Sequence, residues 1–499
     1  MDFTSPTYGL LILSAVLFLA ILASKTSGRI GVPSLVLFLA LGWAFGPSAL
    51  DLIRVSDYEW VRKIGIMALS IILFSGGLDT RLESVRPVLG RSISLATVGV
   101  LITALVTAVS AWIIFDFTFA EAFLLGAIVS STDAAAIFSV LRSKSIGLKH
   151  RLRPLLEFES GSNDPMALLL TATAIGWVTG GSVPVWKLAL QLVYQLGAGA
   201  AIGLIIGYLT LRFINRVSLQ YEGLFSVLIL SVSMFTYAVS ELAMSNGLMA
   251  SYMAGIMIGN RPFMHKQSTL KFFDGVAWLM QILIFVALGL ILEPRGILHV
   301  AIPGVLLALA IIFVARCAGV FGALLPFRGV SAREKAFISW AGLKGAAPLV
   351  FALYPLLAIS DGVGGEVARV ILHVVYFVVI LSVVIQGTLL TRMASWLGVD
   401  FPVPEKVFYP LAIEQRDNFQ SQLQEIELPA DCPALGKPLV ALRLPADSLI
   451  VLISRGDQFI MPNGSTALNA YDKLLVMAST VNDLEGVYYR LGLGLPDTT

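Results

Sequence analysis

Four long apolar runs of this sequence carry ionisable residues near their middles. The run at about 152–179 holds Glu159-Ser160-Gly161-Ser162-Asn163-Asp164, and the run at 119–141 holds Ser130-Ser131-Thr132-Asp133. A third, at 297–325, holds Arg316, and a fourth, at 332–358, holds Lys344 within Gly342-Leu343-Lys344-Gly345. A charge placed in hydrocarbon costs about 2.5–3.5 kcal/mol on insertion scales, so such residues mark function. Glu159 with Asn163, and Ser160 with Asp164, are i,i+4 pairs, which puts all four on one polar stripe of a helix. Gly161 and Pro165 are expected to loosen the backbone ladder beside the stripe and free carbonyls as ligands. Carboxylate, hydroxyl, amide and carbonyl oxygens suit a hard cation. The lack of His or Cys in the stripe argues against zinc or copper. Helix-to-helix polar glue is the other use of such residues; it suits Ser160 and Ser162 as well as a ligand role does, and Asp164 poorly.

The elements that must position these groups are membrane helices. The chain is 57% hydrophobic and 13% charged, with a mean hydropathy of +0.85, whereas soluble domains carry about 25% charge. A span needs about 20 apolar residues. Thirteen candidates follow, at roughly 7–23, 33–50, 60–78, 88–115, 119–141, 152–179, 185–213, 222–241, 246–259, 270–292, 297–325, 332–358 and 366–397. The first lacks a basic flank and is expected to stay as a helix rather than leave as a signal peptide. One set of alternate loops holds eighteen Lys and Arg and the other five, so the positive-inside rule places the N-terminus outside and the C-terminus in the cytoplasm. The net charge of +2 gives no case for nucleic acid. Two cysteines, Cys317 in an apolar run and Cys432 in a polar tail, exclude a disulfide framework. Residues 1–397 thus form a membrane domain, 398–416 a proline-bearing linker and 417–494 a small cytoplasmic α+β domain. In that domain strands are expected near 423–428, 449–453 and 473–478, with a turn at Arg455-Gly456-Asp457 and helices near 435–442 and 481–491.

Spans 1–6 and 8–13 read as repeats, with the seventh as connector. Spans 5 and 12 then correspond, and both are interrupted mid-span by polar or Gly-rich residues. Such pairs point to an inverted-repeat transporter with its site near the midplane. Half-helix ends leave partial charges there; Asp133 is expected to neutralise N-termini and Lys344 the opposing C-termini. Arg316 and Glu159 are expected to pair and to orient rather than transport.

At these residues the chain resembles the NhaP-like branch of the monovalent cation:proton antiporters. The matching pieces are Leu73-Phe74-Ser75-Gly76-Gly77-Leu78, Ser131-Thr132-Asp133-Ala134, Phe158–Asp164, Ala315-Arg316 and Gly342-Leu343-Lys344-Gly345-Ala346. The resemblance implies an NhaA-like fold with two broken, crossing helices and alternate binding of a monovalent cation and a proton at Asp164. It implies that Thr132, Asp133, Ser160 and Asn163 complete or organise the site, and that Glu159 pairs with Arg316. Many relatives carry Arg where this chain has Lys344, which keeps the charge and loses bidentate geometry. The tail from about Gln422 to Ala478 resembles the RCK_C (TrkA-C) lobe of potassium-conductance regulators, through Leu444-Pro445-x-x-Ser448-Leu449-Ile450, Ile453-Ser454-Arg455-Gly456, Ile460-Met461-Pro462-Asn463-Gly464 and Tyr471-Asp472-Lys473-Leu474. It has no dinucleotide-binding GxGxxG. The combination looks like bacterial NhaP/Cvr-type potassium–proton antiporters. It implies an inner-membrane homodimer that exchanges K+ (alternatively Na+) for H+ in pH and volume homeostasis, without an organic cofactor. A nucleotide, including a cyclic dinucleotide, is the implied ligand of the tail.

A buried carboxyl that binds a proton or a cation, never both, is enough for exchange, provided desolvation brings its titration near neutrality. Asn163 is neutral where some antiporters have a second Asp, which favours one-for-one, electroneutral exchange. A gated potassium channel would need a TVGYG-like filter, and none is present. An intramembrane aspartyl protease would use Asp133 and Asp164 as a dyad; Lys344 and the Ser/Thr/Asn shell fit it poorly.

Overall fold

The computed structural model describes residues 6–30, 33–55, 57–144, 146–149, 151–181, 184–217, 221–359, 363–402, 422–456 and 458–494. The chain divides into two compact units, Met1–Val403 and Pro404–Thr499. Residues 403–416 of the expected linker lie outside the described residues.

The helices of the first unit are α1 (Pro6–Ile30), α2 (Ser34–Phe45), α3 (Tyr58–Asp79), α4 (Leu82–Ile114), α5 (Phe119–Ile128), α6 (Ala134–Ser143), α7 (Leu152–Val178), α8 (Val185–Ile214), α9 (Glu222–Leu242), α10 (Gly247–Gly259), α11 (Lys266–Leu290), α12 (Ala301–Ala323), α13 (Ala332–Trp340), α14 (Ala346–Ala358) and α15 (Val363–Leu397). Each of the thirteen expected spans contains a helix. Among the described residues, eight helices are long and apolar enough to cross a membrane, and α2, α5, α10 and α14 are shorter apolar pieces. Spans 5 and 12 are each two helices. Both begin with the same device: Thr118 caps α5 and Ser331 caps α13, each reciprocated by a glutamate, Glu121 or Glu334. This capping box satisfies backbone donors at a helix start. Then both stop early, α5 at Ile128 and α13 at Trp340.

The helices sort into two bundles by their packing. One contains α1–α3 with α8–α11, and the other α4–α7 with α12–α15. Within the first, α3 and α10 touch backbone to backbone: a Cβ on Gly77 would stand 2.3 Å from the Tyr252 carbonyl oxygen. Without appreciable apolar driving force in lipid, small residues at such contacts provide the packing. Between α6 and α7 lies strand β1 (Ile146–Leu148), which pairs antiparallel with β2 (Asp400–Pro402) just past α15. The first unit therefore runs beyond residue 397.

The second unit is a four-stranded sheet of β3 (Gln422–Glu427), β4 (Ser448–Arg455), β5 (Gln458–Ile460) and β6 (Lys473–Ala478), in the order β3-β6-β4-β5, with helix α16 (Val481–Leu491) packed against it. Arg455 pairs with Gln458 and Gly456 has φ +58°, so the turn falls at the expected place; Asp457 lies outside the described residues. Of the expected helix near 435–442 only Leu439–Leu442 is helical. Pro438, which bridges to Ala467, precedes it and prevents an earlier start.

Candidate functional site

The breaks in spans 5 and 12 cross each other. Residues Val129–Asp133 and Ala341–Gly345 are non-helical, and at the crossing the Asp133 backbone N–H donates to the Leu343 carbonyl at 2.8 Å. A Cβ on Gly345 would lie 2.2 Å from Asp133 Oδ2, so only glycine lets the strands approach this closely. Asp133 is the N-cap of α6 and accepts from the Ala136 N–H at 3.2 Å. Lys344 Nζ donates to the Ser131 carbonyl at 3.0 Å, just past the C-terminus of α5. A carboxylate thus sits at an N-terminus and an ammonium near a C-terminus, each the favourable sign for the helix dipole.

Helix α7 runs beside the crossing without interruption through Gly161 and Pro165. The expected loosening of its ladder does not break the helix, because residues N-terminal to Pro165 remain packed on both bundles. Its polar stripe is instead stitched to the span 5 break. Ser160 Oγ donates to the Thr132 carbonyl at 3.0 Å and accepts from the Ala134 N–H at 2.9 Å. Asn163 Nδ2 donates to Thr132 Oγ1 at 2.5 Å and to Glu159 Oε1 at 3.5 Å. Glu159 also accepts from Arg316 Nη2 at 2.7 Å, and both of these residues are only 1% exposed. Arg316 and Glu159 therefore tie α12 to α7 below the crossing.

Asp164 is 8% exposed, and its charged neighbours are Asp133, Lys344 and Glu159. Its Oδ1 has no protein partner, and neither do the buried oxygens Ser131 Oγ, Ser162 Oγ and Asn163 Oδ1. Ser131 stands beside Asp164, Asn163 shares its helix stripe, and a desolvated oxygen left without a donor is costly; Ser162, two residues before Asp164, faces away from that stripe. Among the described residues no group of three or more His, Cys, Asp and Glu side chains gathers as a metal site.

Two supports of the crossing escaped the sequence reading. On α15, Ser382 Oγ accepts from the Lys344 N–H at 3.2 Å and donates to Gln386 Oε1 at 2.5 Å. Gln386 Nε2 donates to the Trp340 carbonyl at 2.8 Å. The available signal was an i,i+4 polar pair in an otherwise apolar span.

The sodium/hydrogen exchanger transmembrane family matches residues 13–396, and the TrkA-C domain matches 423–482. The chain is 37% identical to a protein named K(+)/H(+) antiporter NhaP2 of Shewanella sp. (strain ANA-3), over 92% of this chain and 79% of the relative. It is 33% identical to the K(+)/H(+) antiporter NhaP of Alkalimonas amylolytica, over 94% of this chain and 80% of that one. Its fold is similar to that of the sodium proton antiporter MjNhaP1 from Methanocaldococcus jannaschii, with a TM-score of 0.67 at 23% identity, covering 78% of this chain and 98% of that chain. Two broken spans crossing beside a buried carboxylate, in a membrane unit matched along nearly its whole length, show that the chain belongs to the sodium/hydrogen exchanger family of polytopic membrane transporters.

Proposed function

We propose that this protein exchanges K+ for H+, one for one, with both ions competing for Asp164. The observation that carries this reading is the set of unpartnered buried oxygens of Asp164, Asn163 and Ser131 beside the crossing. K+ bound there neutralises the carboxylate and takes oxygens from its neighbours; a proton neutralises the same carboxylate and leaves those oxygens to each other. Thr132 and Ser160 act mainly by holding α7 to the break, since their bonds join the two segments. Asp133 and Lys344 balance the half-helix ends, and Glu159 with Arg316 fixes the helix behind the site. With Asp133 engaged at the start of α6, one titrating carboxylate remains, which favours electroneutral exchange.

K+ is favoured over Na+ because relatives named for K+ align over 92–94% of this chain. The Na(+)/H(+) antiporter NhaH of Halobacillus aidingensis aligns over 61% at 29% identity. The excess of Lys and Arg in one set of loops supports an inner-membrane orientation with the N-terminus outside and the C-terminus in the cytoplasm. We further assign transport to the first unit, which runs past residue 397 to Val403, linkage to the residues between it and the tail, and nucleotide-responsive regulation to 417–494, in a homodimer.

Proteoliposomes with an imposed K+ gradient test the chemistry. K+ is expected to drive proton movement that is insensitive to membrane voltage, with a weaker response to Na+. Asp164→Asn is expected to insert and fold but to lose exchange, because an amide cannot trade a proton for a cation. Robust K+-driven proton flux in well-expressed Asp164→Asn vesicles overturns the assignment.

A further inference from the structure

Helix α7 meets the other bundle differently on the two sides of Asp164. One end of the interface carries Asp79, with Glu157, Arg153, Arg142 and Asp274 around it. Between that end and the site, Asp133 and Ser160 are only half-buried. The opposite end is shut by side chains from both bundles.

Asn246, the residue before α10, is 4% exposed and donates its side-chain amide to the Pro165 carbonyl at 3.1 Å, one residue past Asp164. It is itself immobilised in its own bundle. Its Oδ1 caps α10 by accepting from the Met249 N–H at 3.0 Å, and its backbone N–H donates to the Gln195 carbonyl of α8 at 3.2 Å. On the Asp79 side of Asp164 the bundles meet at Gly161, where a Cβ would lie 2.4 Å from the Tyr252 ring, so the shut end begins at Asn246. Farther toward the shut end, Gly65 of α3 abuts Val350 of α14, where a Cβ would meet Cγ2 at 2.7 Å. Beyond them the Arg62 guanidinium lies over the Tyr354 ring, 5.1 Å from its centre.

We propose that Asn246 is a positioning residue for exchange: together with the Arg62–Tyr354 contact it latches the Asp164 bundle in the state open toward the Asp79 end, and both contacts part when access switches. This rests on the exchange reading above. A donor fixed to the cap of α10 cannot follow Pro165 through a shift of several ångströms between bundles. The latch is also suitably weak. One neutral hydrogen bond and one partly exposed cation–π contact each bias an equilibrium by about tenfold or less, which leaves the alternative state reachable.

The test uses full-length protein. Asn246→Ser keeps a capping hydroxyl on α10 but is too short for Pro165. In vesicles of uniform orientation, the half-saturating K+ concentration at the Arg62 face is expected to fall about two- to tenfold, with no fall at the Asp79 face. In detergent, with no gradient, hydrogen exchange is expected to rise not only at 246–252 but also at 62–66 and 350–354. Arg62→Gln is the reciprocal variant, expected to raise exchange at 246–252, and it serves if Asn246→Ser fails to fold. Equal shifts at both faces, or exchange changes confined to the mutated contact, reduce Asn246 to a helix cap and overturn the latch. Wild-type protein without K+-driven proton flux sinks the exchange reading separately, and the hydrogen-exchange comparison still decides the latch.

Discussion

Arg316 meets a single carboxylate, Glu159, through Nη2, and both side chains are almost fully buried. Gly342 of the span 12 break leaves room for it, since a Cβ there would be 2.6 Å from Arg316 Nε. Removing one member of a buried pair leaves the other charged without a counter-charge, which costs about 3–5 kcal/mol. Arg316→Ala is therefore expected to lower thermal stability in detergent more than it alters K+ affinity. The double change Glu159→Gln with Arg316→Gln should recover part of the loss. A double variant no more stable than Arg316→Ala contradicts the pairing argument. In the second unit Arg455 donates from Nε and Nη2 to the fully buried Asp472 at 2.8 and 2.7 Å, and Asp472 also accepts from the Asn469 N–H. The carboxylate beside it holds the Arg455 guanidinium above its ordinary range. Asp472→Ala strips acceptors from a charged donor and is expected to cost about 2–3 kcal/mol, read as faster proteolysis of the tail.

The crossing of the two broken spans is an element-level construction held by backbone, a lysine and a glycine. Asp133 N–H bonds Leu343, Lys344 reaches Ser131, and Gly345 occupies the point of closest approach. A methyl group at Gly345 collides with Cβ, Cγ and Oδ2 of Asp133, all within 2.7 Å. Since Asp133 also caps α6, it cannot retreat without uncapping that helix. Gly345→Ala is expected to destabilise the protein by several kcal/mol or abolish exchange in whatever folds. Gly76 lies in the same family-like stretch as Gly77, yet a Cβ on it would have no neighbour within 4 Å. Gly76→Ala should leave melting temperature and exchange within experimental scatter. Equal behaviour of the two variants rules out the crossing as the sensitive point.

At the scale of the whole molecule, the end of the membrane unit is pinned to the site-bearing helices. Ile146–Leu148 pairs with Asp400–Pro402, Lys149 N–H donates to the Val399 carbonyl at 2.8 Å, and Lys149 Nζ reaches the Gly398 carbonyl. These bonds brace the connection between α6, which begins at Asp133, and α7, which holds Asp164. A chain cut after Leu397 loses the brace; one cut after Val403 keeps it. The longer truncate is expected to exchange at close to full rate and to lose only the response to ligands that the proposed regulatory tail binds. The shorter one should exchange more slowly at equal reconstituted density. A ligand of the tail regulates only through differential affinity for the two access states, so an unchanged nucleotide and pH response in the longer truncate leaves the tail without a regulatory role.

The sequence alone determined the membrane class, thirteen apolar stretches that each contain a helix, the polar stripe on α7 and the interruptions in spans 5 and 12. All of these are local signals: an ionisable residue in an apolar run stands out against its neighbours, and stripe and strand periodicities are set within a few residues. The two capping boxes, Thr118 with Glu121 and Ser331 with Glu334, were equally local and give the paired spans a shared start. What only the tertiary structure decided were the partners. Pro165 removes one rung of the helix ladder, and only the structure shows that α7 stays continuous there, with Tyr252 and Asn246 packed against it. Ser160 read equally as a ligand or as glue between helices, and the structure supplied its partners, backbone groups on both sides of Asp133. Asn246, Ser382 and Gln386 matter through residues 38 to 81 positions away. Such pairings depend on which helix faces which, and that is fixed by shape complementarity between whole helices, a property no short window of sequence contains.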